Sequence, residues 1–212
     1  MANKIATLDK LVAEIRACRL CVEQPLKRPL PHEPRPVLRV SPTARIAICG
    51  QAPGTRVHAS GIPFTDPSGD RLRAWMGVTS DEFYDARRVA IIPMGFCFPG
   101  LDAKGGDLPP RPECAPVWRQ RVLDSLPQIE LMLLVGTYAQ RWHLGADIRP
   151  TLTETVQDWS RIAARPKSKD RPVTMLPLPH PSWRNNGWIK DHPWFEAELL
   201  PRVQREVRRL MG

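Results

Sequence analysis

Cys18 and Cys21 stand in a Cys-x-x-Cys spacing near the start of the chain, and Cys97 and Cys114 form a wider second pair in its middle. A Cys-x-x-Cys spacer is short enough for both sulfurs to reach one metal centre. The second pair supplies the two further donors that either a tetrahedral zinc or an iron–sulfur cluster requires. Cys49 ends an apolar run and reads as a small buried core thiol. Two further segments carry chemistry. The loop Gly50-Gln51-Ala52-Pro53-Gly54 can bring backbone N–H groups close to a ligand, because its glycines lack a Cβ. His180 lies between Pro179 and Pro181, ahead of Ser182, and the flanking prolines fix the backbone that carries its imidazole.

The elements that must position these groups follow from periodicity. Ile5, Leu8, Leu11, Val12 and Ile15 recur at helical spacing, so a helix is expected over 4–17, ending at Cys18. Short apolar runs at 45–49, 89–92, 131–135 and 173–178 read as strands, the first leading into the Gly50 loop and the last into His180. Helices are expected at 69–77, with Ser68 as N-cap, at 117–126, from 138 onward, and at 194–210. Strands alternating with helices predict an α/β fold: three α/β/α layers around a four-stranded parallel sheet, in a single domain over 1–212. In such sheets ligands bind beyond the carboxyl ends of the strands. The Gly50 loop and His180 both follow strand ends and can share one site.

The chain has 212 residues, enough to bury a full core without a metal, so any cluster would tie down a peripheral segment. Lys plus Arg number 31 against 22 Asp plus Glu, a net charge of +9 that suits a polyanionic partner, with mere solubility as the plainer reading. No apolar run approaches the roughly 20 residues of a membrane span. Residues 1–16 read as a charged amphipathic segment and not as a signal peptide. Five cysteines without a secretion signal indicate a reducing compartment. The 24 prolines gather at 25–42 and 109–116, predicting ordered but irregular loops.

Gly50-Gln51-Ala52-Pro53-Gly54, then Gly61-Ile62-Pro63-Phe64, then His180-Pro181-Ser182, in this order and with these cysteine pairs, resemble the iron–sulfur branch of the uracil-DNA glycosylase superfamily. The resemblance runs from Cys18 to about Asn186. It implies a structural [4Fe–4S] cluster on Cys18, Cys21, Cys97 and Cys114, with zinc left open by the sequence. It implies hydrolytic excision of uracil from DNA, single- or double-stranded, by a cytoplasmic, nucleoid-associated monomer. Gly50, Gln51, Ala52, Phe64 and His180 would then bind the flipped base. Phe64 would stack on it, His180 would stabilise the departing anion, and Gln51 would position the attacking water. Pro53, Ser68, Ser182, Trp183 and Arg184 would contact DNA, with Trp183 or Arg184 filling the vacated stack. Lys167 and Lys169 belong to a basic stretch that could track phosphates or simply be solvated.

The chain departs from the family in two places. The carboxylates that some branches carry at the positions of Gln51 and Ala52 are absent, which leaves the water without an evident base. Where the family has an asparagine that reads the edge of uracil stands Pro93, with no amide and no N–H. Selectivity would then come from Asn185, Asn186 or backbone groups. Otherwise the substrate is another damaged base, such as hypoxanthine or a mismatched or adducted pyrimidine, or the domain binds lesions without catalysis.

Overall fold

The computed structural model describes residues 2–165 and 173–212. Four strands, β1 (Ile46–Cys49), β2 (Val89–Ile91), β3 (Leu131–Val135) and β4 (Thr174–Leu178), form one sheet in the order β2-β1-β3-β4, every pairing parallel. The helices are α1 (Ala2–Arg16), α2 (Leu20–Glu23), α3 (Thr55–Ser60), α4 (Pro67–Met76), α5 (Ser80–Tyr84), α6 (Cys114–Asp124), α7 (Thr137–Leu144), α8 (Leu152–Gln157), α9 (Trp159–Ala163), α10 (Asn186–Asp191) and α11 (Leu200–Met211), the last preceded by a π-helical turn over Phe195–Leu199.

The strands are apolar on both faces because both are covered. Ile46, Ile48, Leu131, Leu133, Leu176 and Leu178 point to one side, where Leu72 and Met76 of α4, Phe195, and Val203 and Val207 of α11 meet them. Ala47, Cys49, Met132 and Leu134 point to the other, against Leu8, Leu11 and Ile15 of α1, Val122 of α6 and Ala139 of α7. These are the three expected layers. All strands run the same way, so the 50–54 loop, the segment after β2, Gly136 and His180 emerge at one edge of the sheet. The sheet order reverses beside β1, whose neighbours are β2 and β3, and that reversal opens a crevice at this edge.

Several local outcomes differ from the sequence reading. The N-cap of α4 is Asp66, whose side chain accepts the Gly69 N–H, with Pro67 opening the helix; Ser68 lies inside it and is buried. Proline at the first position loses no hydrogen bond there, which moves the start ahead of Ser68. Helix α6 begins at Cys114, three residues before the expected start. The short helices α3, α5, α8, α9 and α10 carry too few turns for periodicity to reveal them; α5 and α8 are set by the capping boxes Thr79–Glu82 and Thr151–Glu154. Arg119 of α6, 1% exposed, donates to the carbonyls of Ile92 and Pro93, and its guanidinium also meets His143 Nε2. It fixes the end of β2 at the site edge. No helix among the described residues is long and apolar enough to cross a membrane.

Candidate active site

A cavity of about 80 Å3 opens at the strand ends into a wider groove. The cavity is lined by Gly50, Gln51, Ala52, Pro53 and Gly54 of the strand loop, by Pro63, Phe64, Asp66 and Ser68, by the apolar Val37, Ile91 and Pro93, and by His180 and Asp107. The loop and the histidine, 130 residues apart in sequence, thus meet as their strand ends require. The groove continues past Arg56 and Arg71 to Ser182, Trp183 and Arg184.

Phe64 owes its place to unusual backbone. Its φ is +56°, a region that costs an ordinary residue about 1–2 kcal/mol. The surroundings hold it there. Tyr84 donates its hydroxyl toward the carbonyls of Pro63 (2.9 Å) and Phe64 (3.0 Å), and the Phe64 ring packs edge-on to Phe83. The first turn of α4 presses against the same carbonyl. A Cβ at Gly69 would lie 1.9 Å from Phe64 O, so only glycine fits there.

His180 is held just as firmly. The Ser182 N–H donates to its Nδ1 at 3.2 Å, so Nδ1 is the acceptor and the ring proton of the neutral form sits on Nε2. Burial lowers the imidazole's pKa; Asp66 opposes that shift and Arg184 adds to it. Asn185 donates its amide to the His180 carbonyl at 2.6 Å, and Arg71 donates to that of Ser182. Asn185 therefore serves the histidine's backbone. Neither it nor Asn186 is among the residues lining the cavity or the groove.

Gln51 donates its Nε2 to Leu108 O at 3.2 Å, tying the strand loop to the 100–108 hairpin. Two carboxylates unforeseen from the sequence line the cavity, Asp66 and Asp107. Asp66 sits at a recognisable helix start; Asp107 lies in a glycine- and proline-rich stretch that carries no local signal. At the groove's outer rim Trp183 is 73% exposed, with the Arg184 guanidinium 5.9 Å from its ring. Pro53 is buried in the cavity wall, which leaves little of it for DNA, while Ser68 and Ser182 both line the groove. Lys167 and Lys169 lie outside the described residues.

The four expected cysteines come together elsewhere. Cys18 precedes α2, Cys21 lies on it, Cys97 follows β2 and Cys114 opens α6; all four line one small cavity with Ile15, Phe96 and Trp118. Burial raises the thiols of Cys21 to about 11 and of Cys97 and Cys114 to about 12. The Phe96 N–H points at Cys114 Sγ, 3.4 Å away, and a buried Arg111–Glu113 ion pair adjoins the cavity. Among the described residues no three or more His, Cys, Asp or Glu side chains are grouped as they would be around a single metal ion.

The model of the uracil DNA glycosylase superfamily matches residues 39–204, which takes in the lining of the cavity at the strand ends apart from Val37, but not Cys18 and Cys21.

Proposed function

Since this chain belongs to the uracil DNA glycosylase superfamily, and is by class a DNA glycosylase acting on DNA, we propose that it excises uracil by hydrolysing the N-glycosidic bond of deoxyuridine. The observation that carries this reading is that Phe64 and His180 line one cavity, each held by its own set of backbone contacts. A duplex base reaches such a pocket only by leaving the stack, at a few kcal/mol. Phe64 then offers a ring face for the base. The Nε2–H of neutral His180 donates to the base oxygen on which negative charge gathers as the C1′–N bond breaks. A prepositioned donor of this kind acts as an oxyanion hole does. The sugar becomes oxocarbenium-like and water adds to C1′. Among the described residues no lysine lines the cavity to form an imine, which supports the reading of a monofunctional enzyme that leaves the strand intact.

A second reading is favoured by one observation: Pro93 places an apolar surface where an amide would read uracil. Hypoxanthine or an adducted pyrimidine then remains an alternative substrate. Duplexes carrying one uracil, hypoxanthine or ethenocytosine, incubated with the protein and cleaved with alkali, separate the two. Release of uracil foremost supports the first reading. Release of another base alone replaces it, and binding without release from any duplex makes the domain a lesion-binding module.

For the cysteines we propose a structural [4Fe–4S] cluster on Cys18, Cys21, Cys97 and Cys114. A zinc ion needs its sulfurs at about 2.3 Å from one point. A cluster spreads four irons and asks one thiolate of each, and four cysteines line this one cavity. Its iron charge would offset the cost of four thiolates in an apolar setting. It would take no part in hydrolysis, because the cysteines line a cavity separate from the one that holds His180.

A further inference from the structure

The strand loop has no carboxylate, yet the cleft has two. Asp66 is occupied as the N-cap of α4. Asp107 makes no hydrogen bond or ion pair through its carboxylate among the described residues, and it lines both the base cavity and the outer groove, at the junction where a flipped nucleotide must pass its sugar. Its position is built. Leu101 and Asp107 pair as an antiparallel bridge, the Leu108 N–H bonds Gly100 O at 3.0 Å, and Asp102 ties the turn by accepting the N–H groups of Lys104 and Gly106, each at 2.8 Å. Gln51 bonds the very next carbonyl, Leu108 O. Gly54 completes the arrangement: a Cβ there would stand 3.3 Å from Asp107 Oδ2, so glycine leaves the carboxylate room to approach the loop.

We propose that Asp107 is the general base that activates the attacking water, with Gln51 and Gly54 as the positioning residues that hold its carboxylate over the reacting centre. The proposal rests on the glycosylase reading above. The water oxygen bonds to C1′ as the C1′–N bond breaks. The bonding pair leaves on the base, facing His180 Nε2–H, and the water's proton passes to Asp107 and then to solvent. The carboxyl sits above its ordinary pKa, because the cleft walls desolvate it and Asp66 repels its charge, while Arg184 pulls the other way. His180, Arg56 and Arg71 are the other titratable or charged groups lining this groove. A base must be deprotonated to act, so excision rises with pH through the Asp107 pKa and levels above it.

Single-turnover excision, oligonucleotide affinity and the pH–rate profile are measured for wild type, Asp107→Asn, Asp107→Glu and His180→Ala. Loss of a general base is expected to cost Asp107→Asn about 10²-fold or more in rate, with affinity nearly unchanged and the acidic limb gone. Asp107→Glu keeps the limb and part of the rate, and His180→Ala keeps the limb at a lower rate. Wild-type release with Asp107→Asn within about threefold of it, or with its acidic limb intact, overturns the assignment of Asp107 alone. Absence of release by wild type from every lesion overturns the glycosylase reading with it.

Discussion

A donor to a leaving anion works best when it is already aimed and needs no proton from outside. His180 suits both conditions: the Ser182 N–H occupies Nδ1, and burial lowers the imidazole's pKa, favouring the neutral ring. Protonating Nδ1 would set two donors against each other. His180→Ala is therefore expected to slow single-turnover excision by about 10²–10³-fold, as for removal of one oxyanion donor, with affinity for DNA little changed. Excision near the wild-type rate would take His180 out of the mechanism. The histidine was legible in the sequence because the prolines around it mark a rigid strand end. Asp107 was not, since a lone aspartate in a glycine- and proline-rich stretch is most often a turn residue; only the fold, by bringing the 100–108 segment to the strand loop, places it in the cleft. Gln51 was legible as a site residue, and the structure adds that its amide donates to the Leu108 carbonyl and so ties the strand loop to the 100–108 segment.

At the scale of elements, the strands and long helices could be read because burial imposes a period, and each expected strand lies within two residues of where it falls in the fold. The walls of the site could not, because they depend on contacts between elements remote in sequence. The wall formed by Phe64 and α4 shows this. Gly69 looks like an ordinary helix residue, yet its missing side chain is what lets the helix approach the strained Phe64 carbonyl. Gly69→Ala must push the two apart. The expected cost is about 1–3 kcal/mol, as for overpacking in a core, seen in urea unfolding, together with weaker excision as the Phe64 ring tilts. A variant as stable and active as wild type would mean that the close approach has no consequence. The cysteine cavity joins elements in the same way, linking α2, the segment after β2 and the start of α6. Cys97→Ala is expected to lose iron and inorganic sulfide together and to lower the melting temperature, by loosening α1 and α2 from the sheet. Purified wild-type protein holding zinc alone, or neither iron nor sulfide, would rule out the cluster.

For the whole molecule, the +9 charge gains meaning from its distribution. Many arginines are already matched: Arg45 and Arg209 meet Glu130, Arg149 and Arg161 meet Asp158, and Arg121 meets Glu14. Arg56 and Arg184 line the groove with no ion pair among the described residues. Phosphates that neutralise such groups release counterions, so affinity is expected to fall linearly in log–log form as salt rises. Arg184 has a second property that a phosphate contact lacks. It shares the rim with Trp183, whose ring stands out into solvent beside its guanidinium. Two flat groups at the mouth of a base cavity can fill the space that a flipped base leaves in the stack. That role exists only where there is a stack to fill. Arg184→Ala and Trp183→Ala are therefore expected to slow excision from a paired duplex more than from a single strand carrying the same lesion. Arg56→Ala, by contrast, should weaken both substrates alike and flatten the salt slope by about one phosphate contact. The comparison uses single-turnover rates on both substrates at matched saturation, with affinities taken across a salt series. Equal losses on single and double strands for Arg184→Ala would reduce that residue to a phosphate contact, and with it the rim's part in opening the duplex.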